Sequence, residues 1–493
     1  MTVPFTNLPS NIRVPLFYAE VDNSQANTST NSQKVLIIGQ ILASGTATPN
    51  LPTLSAGVSD AIEKGGKGSQ LSLMTAAYRA NDNFSEVWYL PLADDASAIA
   101  AVGSVTIDSV PTSAGTLNLY IAGTRYQLPV STNQTAAQIA SSLAALISLN
   151  ANSPITAFAE GNEVILTALN KGSAGNEIDV RLNYLGTSGG ETTPAGLSVA
   201  ITPMSGGSVN PSLNEAIANL GDEPFDFIVS PFADAASLDA LKLFLNDSVG
   251  RWSPLQQIYG HVFTALRGTI GSLSTFGNSR NNQHETVLGF NDSPTPAWLV
   301  AAQLVGAIAP ALQNDPGRPV QTLPIGGFLA PPVGSRFALS SRNTLLWDGI
   351  STFSVGSDGT VHAENIITTY QKNVYGAPDD SYLEIETLFN LSFVLRALHS
   401  LVTTKFARVK LAANGTRFAA GSAIVTPNII KSDIIAKYQE LEFIGHVQNS
   451  KAFAQELIVE LNSSNANRVD VLFPATLIDQ LRILGLLAQF RLQ

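Results

Sequence analysis

The stretch KVLIIGQIL at residues 34–42 decides the fold class. Val35 to Ile38 are apolar without alternation, and the run stops at Gly39. A strand of that kind is buried on both faces, as in the middle of a helix-covered α/β sheet. Working outward, a helical region is expected around 69–80, and EVWYLPL (86–92) reads as a second buried strand. Strand, helix, strand is the order that builds a parallel sheet.

Near residue 103 the pattern changes. VTIDSVPTSAGTLNLYIAGTRYQLPV (105–130) alternates at period two around a glycine turn. TNQTAAQIASSLAALISLN (132–150) reads as an amphipathic helix capped by Thr132 or Asn133. ITAFAEGNEVILTALNKGSAGNEIDVRLNY (155–184) supplies three more strands, and Gly-rich stretches at 185–196 and 204–212 close the region. The expectation is a small α+β domain inserted at 103–207 into a host domain formed by 34–102 plus 208–375. Exposed loops tolerate such insertions.

The buried-strand pattern resumes after it: helix at 214–223, strand FDFIVSPF (225–232), helix at 234–250, strands at 256–266 and 285–290, and an apolar helix near 295–314. A hairpin turning at GSDG (356–359) follows. A C-terminal α+β domain is expected over 376–480. It opens with a long helix within 379–411 that is apolar nearly all round and should be deeply buried, with His399 as a core residue. A helix at 426–442 and strands at 453–465 and 467–475 complete it.

The two ends share one property. In LGLLAQFRLQ (484–493), Leu484, Leu486, Phe490 and Leu492 fall on one face of an extended chain. In NIRVPLFYAEV (11–21), Ile12, Val14, Leu16 and Tyr18 do the same, with Pro15 restricting that strand to an edge. The polar run 22–33 has nothing to bury and reads as a linker. Two readings are open for each end: it folds back on its own subunit, or it pairs with a neighbour. Both ends need an apolar partner.

Composition narrows the function. Hydrophobic residues make up 45% of the 493, an ordinary share, but charged residues only 13%, about half of the ~25% usual in soluble domains. So little charge leaves little repulsion between copies. A membrane span is not expected: the apolar helix near 295–314 carries Gln303 and is broken by Gly306 and Pro310. The first twenty residues lack the charged start and apolar core of a signal peptide. Cysteine is absent, which excludes disulfides and thiolate zinc sites. A net charge of −11 argues against direct nucleic-acid binding.

Catalytic motifs fail their structural tests. The histidines at 261, 284, 362, 399 and 446 share no helical turn, and no HExxH is present. EKGGKGSQ (63–70) is a glycine-rich connection to a helix, lacking the phosphate-loop spacing. GTSGG (186–190) matches a nucleophile elbow in letters only, since it lies in a polar bridge. Asp94–Asp95 and Asp379–Asp380 read as acidic residues at helix starts. No cofactor, metal or catalytic residue is expected.

GDEPFDFIVSPFADAASLDAL (221–241), WSPLQQIYGHVF (252–263), the hairpin region 343–373, DDSYLEIETLFNLSFVLRAL (379–398), IVTPNIIKSDIIAKYQELE (424–442) and NRVDVLFPATLIDQLRI (467–483) together resemble the tail sheath proteins of contractile, Mu-like bacteriophages. TLNLYIAGTRY (116–126) and GNEIDVRLN (175–183) fit the same pattern, so the resemblance covers nearly the whole chain. It implies a subtilisin-like core without protease chemistry, an inserted domain facing outward, and a last domain nearest the inner tube. It implies arms, at 1–33 with its linker and at 481–493, that complete sheets in neighbouring subunits, assembly as stacked rings or a helical sheath, and contraction that drives the tube through a host envelope. Partners implied are further copies, the tail tube protein, and the baseplate and tail terminator proteins; the location is the virion tail, after assembly in the host cytoplasm. Lys405, Arg408 and Lys410, in the densest basic stretch, are the expected tube contacts. Two competing readings are a serine hydrolase on a subtilisin-like scaffold, which needs Ser, His and Asp in one cleft, and a static virion shell component.

Overall fold

A computed structural model describes residues 33–492. Ile12, Val14, Leu16 and Tyr18 lie outside the described residues. The chain first forms β1 (Val35–Gln40), the short β2 (Thr53–Leu54), helices α1 (Val58–Gly65) and α2 (Gln70–Arg79), and β3 (Val87–Leu92). β1 pairs in parallel with β3 along its whole length. Ser69 starts α2 by accepting the Ser72 N–H at 3.1 Å, so the glycine-rich connection 63–70 leads into a helix as expected.

The next elements are β4 (Val102–Ser109), β5 (Gly115–Ile121), β6 (Thr124–Val130), α3 (Ala136–Leu149), β7 (Ile155–Glu160), β8 (Glu163–Ala168), β9 (Val180–Leu182) and β10 (Ser198–Ser205). They make a four-stranded sheet, β10-β4-β8-β7, and a three-stranded one, β6-β5-β9. The β5–β6 hairpin turns on Ala122 and Gly123, both at positive φ (50° and 81°), which suits the right-handed twist of the flanking strands. The α3 cap is Thr135, neither Thr132 nor Asn133: Thr135 and Gln138 exchange side-chain and backbone hydrogen bonds in a capping box. β10 was not foreseen. It pairs antiparallel with β4, so the chain enters and leaves this region along two neighbouring strands.

The main sheet then resumes with α4 (Asn214–Ala218), β11 (Phe227–Val229), α5 (Ala235–Leu245), β12 (His261–Arg267), α6 (Ile270–Ser279), β13 (Glu285–Phe290), α7 (Ala297–Asn314), α8 (Leu339–Trp347) and the hairpin β14 (Thr352–Val355) with β15 (Val361–Asn365). The order is β13-β12-β11-β1-β3-β2, with only β2 antiparallel. β12 begins at His261, five residues after the expected start at 256, because Gln257 and Tyr259 adopt positive φ (53° and 66°). Alternate residues of β1 feed opposite cores. Val35 and Ile37 join the cluster containing α2 and α7, and Leu36 and Ile38 join the one containing α4 and α5. That is the physical content of the unbroken apolar run. α7 runs unbroken through Gly306 and Pro310, against the expected break, and is a packed core helix: at Gly306 an added Cβ would lie 2.6 Å from the Tyr78 carbonyl, so only glycine lets α2 and α7 approach this closely.

The last elements are α9 (Ile385–Lys405), β16 (Lys410–Leu411), β17 (Ile424–Val425), α10 (Pro427–Phe443), β18 (Val447–Gln448), α11 (Ser450–Glu456), β19 (Ile458–Leu461), β20 (Val469–Leu472) and β21 (Thr476–Leu477). α9 is shorter than expected. Asp379 instead ties a turn through Ser381 and Tyr370, and Glu384 is held extended against Ile367. The burial of α9 is also uneven. Ile385 to Val394 are largely buried, whereas His399 and the last turns are exposed, so His399 is a surface residue and not a core one. Residues 453–456, the start of the strand expected over 453–465, belong instead to α11, since Phe453 stacks on Tyr438 of α10 with ring centroids 3.7 Å apart.

Candidate assembly surface

Doubly wound sheets bind ligands where the strand order reverses, outside the carboxyl ends of the strands. Here that place, between β1 and β11, is filled by the chain itself. Gln40 at the end of β1 donates to Asp94 (2.6 Å) and to the Lys171 carbonyl (2.7 Å). Asn170 donates to the Ile41 carbonyl, and the Lys171 N–H to Asp94. Asn210 bridges Ser173 to Asp234, just past β11. Asp94 is thus a latch for the 170–173 loop and starts no helix, while Asp95 closes a turn with Ser97. The crevice is occupied by loop and side chains.

The histidine rings engage other partners. His261 meets Thr286 at 2.8 Å, His284 meets Asp247 at 2.7 Å and stacks on Trp252, and His446 meets Asn390 at 2.9 Å. Burial holds His261 well below its usual pKa, with His284 adding to the effect, and burial also lowers His446. Among the described residues no serine hydroxyl is hydrogen-bonded to a histidine ring, so the Ser–His contact a hydrolase needs is not assembled here.

The open chemistry lies in the last hundred residues. Residues 478–492 form no helix or strand. Ile483, Leu484, Leu486, Leu487, Phe490 and Leu492 are 75–89% exposed, and 483–492 make no hydrogen bond to other described residues. A contiguous apolar stretch left in water marks an interaction site. Its root is fixed: Arg482 pairs with Glu384 at 3.0 Å and with the fully buried Glu386 at 2.6 Å.

Nearby, β19 and β20 pair only with each other, so both outer edges of this hairpin lack a partner among the described residues. Unpaired edges are templates for another strand. Val459 faces the local core, whereas Ile458 and Leu472 lie opposite each other on the outer face and are half exposed. The hairpin therefore offers free backbone groups beside exposed apolar side chains.

The basic stretch is divided. Lys405 ends α9 and pairs with Asp433 of α10 at 2.5 Å. Arg408 and Lys410 follow the helix and are exposed, Lys410 as part of β16. Sequence reading missed Glu384, Glu386 and Arg482; the signal available was a lone cation just before the apolar tail.

Two family models match the chain: the phage tail sheath protein central domain over residues 206–369 and the phage tail sheath C-terminal domain over 377–491. The tail sheath protein of the Mu-like prophage FluMu of Haemophilus influenzae is 41% identical over 492 residues, covering 99% of this chain and all of the relative. Among solved structures, the sheath tail protein of Desulfitobacterium hafniense matches with a TM-score of 0.49 at 15% identity, over 95% of this chain and 97% of that one. The sheath tail protein of Listeria innocua gives 0.48 at 14%, over 91% and 92%. On the strength of the sequence matches, this α/β multidomain chain belongs to the phage tail sheath protein family, and it is a structural subunit of a contractile tail.

Proposed function

We propose that copies of this subunit polymerise as stacked rings into a helical sheath around the tail tube, each arm adding a strand to a neighbour's sheet. The observation that carries this reading is the contrast within one chain: among the described residues, 483–492 expose an apolar face with no partner, while the β19–β20 hairpin exposes two unpaired edges. Strand addition satisfies both at once. Because donor and acceptor are different surfaces, the contact is head-to-tail, and such contacts close into rings or grow as helices.

In this reading the sheath stores energy in its extended lattice. It contracts to drive the tube through the host envelope, the arms staying paired while the bodies of the subunits shift. The division is a subtilisin-like core (34–102 plus 208–375), an outward-facing insert (103–207), a tube-proximal C-terminal domain (376–480) and arms at 1–33 and 481–493. Five parallel strands with helices on both faces support the architecture of the core. The antiparallel pairing of β4 with β10 supports the insertion, because it brings the two junctions together. Arg408 and Lys410, with Lys405 beside them, contact the tail tube protein; baseplate and terminator proteins cap the two ends, and assembly takes place in the host cytoplasm.

Deleting residues 483–493 tests the proposal while leaving the Arg482 contacts in place. The expected product is a folded subunit that forms no long tubes under negative-stain microscopy. Normal tubes from the truncated chain would refute the arm. Two distinct helical lattices of the intact protein, one long and narrow and one short and wide, would separate a contractile sheath from a static shell.

A further inference from the structure

The hydrogen-bonded body of the described chain ends at one residue. Ile478 still donates its N–H to the His446 carbonyl, and the Leu481 carbonyl still lies 3.4 Å from the Gln321 amide nitrogen. From Ile483 onward no hydrogen bond to the described residues remains. Between them Arg482 is only 15% exposed at its side chain. Both of its ion pairs run through a single nitrogen, Nη2, which reaches Glu384 at 3.0 Å and Glu386 at 2.6 Å.

The two carboxylates bracket the start of α9, Glu384 as its N-cap residue and Glu386 in its first turn. There the helix dipole favours negative charge. Each is tied elsewhere as well. The Glu386 carboxylate accepts the Val320 N–H at 2.8 Å, and the Glu384 backbone is bridged to Ile367. Burial raises the pKa of both carboxyls, and the Arg482 charge opposes that rise. The guanidinium is thus the counter-ion that offsets part of the cost of burying this pair. α9 itself runs on into a second core: Phe389 stacks on Phe227 of the main sheet at 4.7 Å, and Val394 packs with Ile434, Tyr438 and Phe453. The point where the tail leaves is therefore fixed to the helix that joins the main sheet to the last hundred residues.

We propose that Arg482, held between Glu384 and Glu386, is a positioning residue for assembly: a pivot that fixes where residues 483–492 leave the subunit while letting them swing. A planar guanidinium engaged through both prongs fixes orientation as well as place. Here it is engaged through Nη2 alone, but its Nε and Nη1 are buried as well, so the guanidinium fixes the place and the freedom to swing belongs to the chain beyond it, where 483–492 make no hydrogen bond to the described residues. Every copy then presents its tail from the same point, which raises the effective concentration of tail at the neighbour's edge. The inference rests on the strand-addition reading above.

The test compares three proteins: the chain truncated after Arg482, the triple variant R482M/E384Q/E386Q, which strands no buried charge, and the conservative R482K. Truncation should abolish tubes. The triple variant should keep the parent's melting temperature yet need about tenfold more protein to assemble, and its tubes should show blurred helical layer lines. R482K should restore sharp layer lines. Sharp layer lines and an unchanged assembly threshold in the triple variant, with truncation still abolishing tubes, would overturn the pivot alone. Tubes from the truncated protein would overturn the strand-addition reading instead. The chain has no cysteine, so a nitroxide on D479C and one on L486C in otherwise intact protein give an answer independent of the variants' folding. A step from immobile to mobile between the two sites is expected, and equal mobility at both would overturn the pivot.

Discussion

Replacing Leu486 and Phe490 by serine separates folding from assembly. Both side chains are 84% exposed in the single subunit, so folding loses almost nothing, and surface changes of this kind usually alter stability by less than about 0.5 kcal/mol. In the sheath both would be covered. Burying a Leu or Phe side chain contributes about 1.5–3 kcal/mol, so the pair is worth about 3–6 kcal/mol per arm. At about 1.4 kcal/mol for each factor of ten, the assembly threshold should rise by about 10²- to 10⁴-fold. Sedimentation across a concentration series measures it directly, with thermal unfolding as the folding control. Leu487 is equally exposed but belongs to the opposite face of an extended strand, so L487S should raise the threshold much less than L486S. An unchanged threshold in the double variant would refute the reasoning. Equal effects at 486 and 487 would also refute it, since they would indicate general stickiness and not strand pairing.

Phe389→Ala should remove the aromatic contacts between α9 and the main sheet and cost about 3–5 kcal/mol of stability, as large-to-small changes in packed cores do; a loss under about 1 kcal/mol in denaturant unfolding would contradict the packing described. His261 is neutral when folded, with its pKa pressed well below 6.5 by burial and by His284. The unfolded chain therefore takes up a proton that the native chain refuses. This contribution is complete above pH 6.5 and is lost as pH falls below it, at up to about 1.4 kcal/mol per pH unit. His446 acts in the same direction. H261Q should flatten the fall in melting temperature between pH 7 and 5, and an unaltered slope would contradict the assignment. R408E/K410E should weaken attachment of the sheath to the tube in co-sedimentation and leave tube-free polymers intact; unaltered attachment would remove those residues from the contact.

How much of this was legible in the sequence depends on what each residue packs against. β1 and β3 were legible because a strand covered on both faces must be apolar throughout. The Thr135 cap was one turn away from the residues chosen, since 132–134 also offer capping side chains and only the Thr135–Gln138 exchange decides between them. β10 was hidden by its glycine-rich flanks and by Pro203 inside it. Asp94 looked like a helix cap because its true partners, Gln40 and Lys171, are 54 and 77 residues away. The exposed half of α9 and the tail at 483–492 look like core in composition. Apolar character is the same whether it is buried within one chain or kept for a neighbour, and only the fold separates the two cases.

An electron cryo-microscopy reconstruction of the assembled sheath tests the central claim most directly. The account expects residues 483–492 of one subunit as a strand hydrogen-bonded to the edge of a neighbour's β19–β20 hairpin, with Leu484, Leu486, Phe490 and Leu492 turned inward. The same residues folded back onto their own subunit in the assembled particle, with that hairpin's edges still bare, would contradict it.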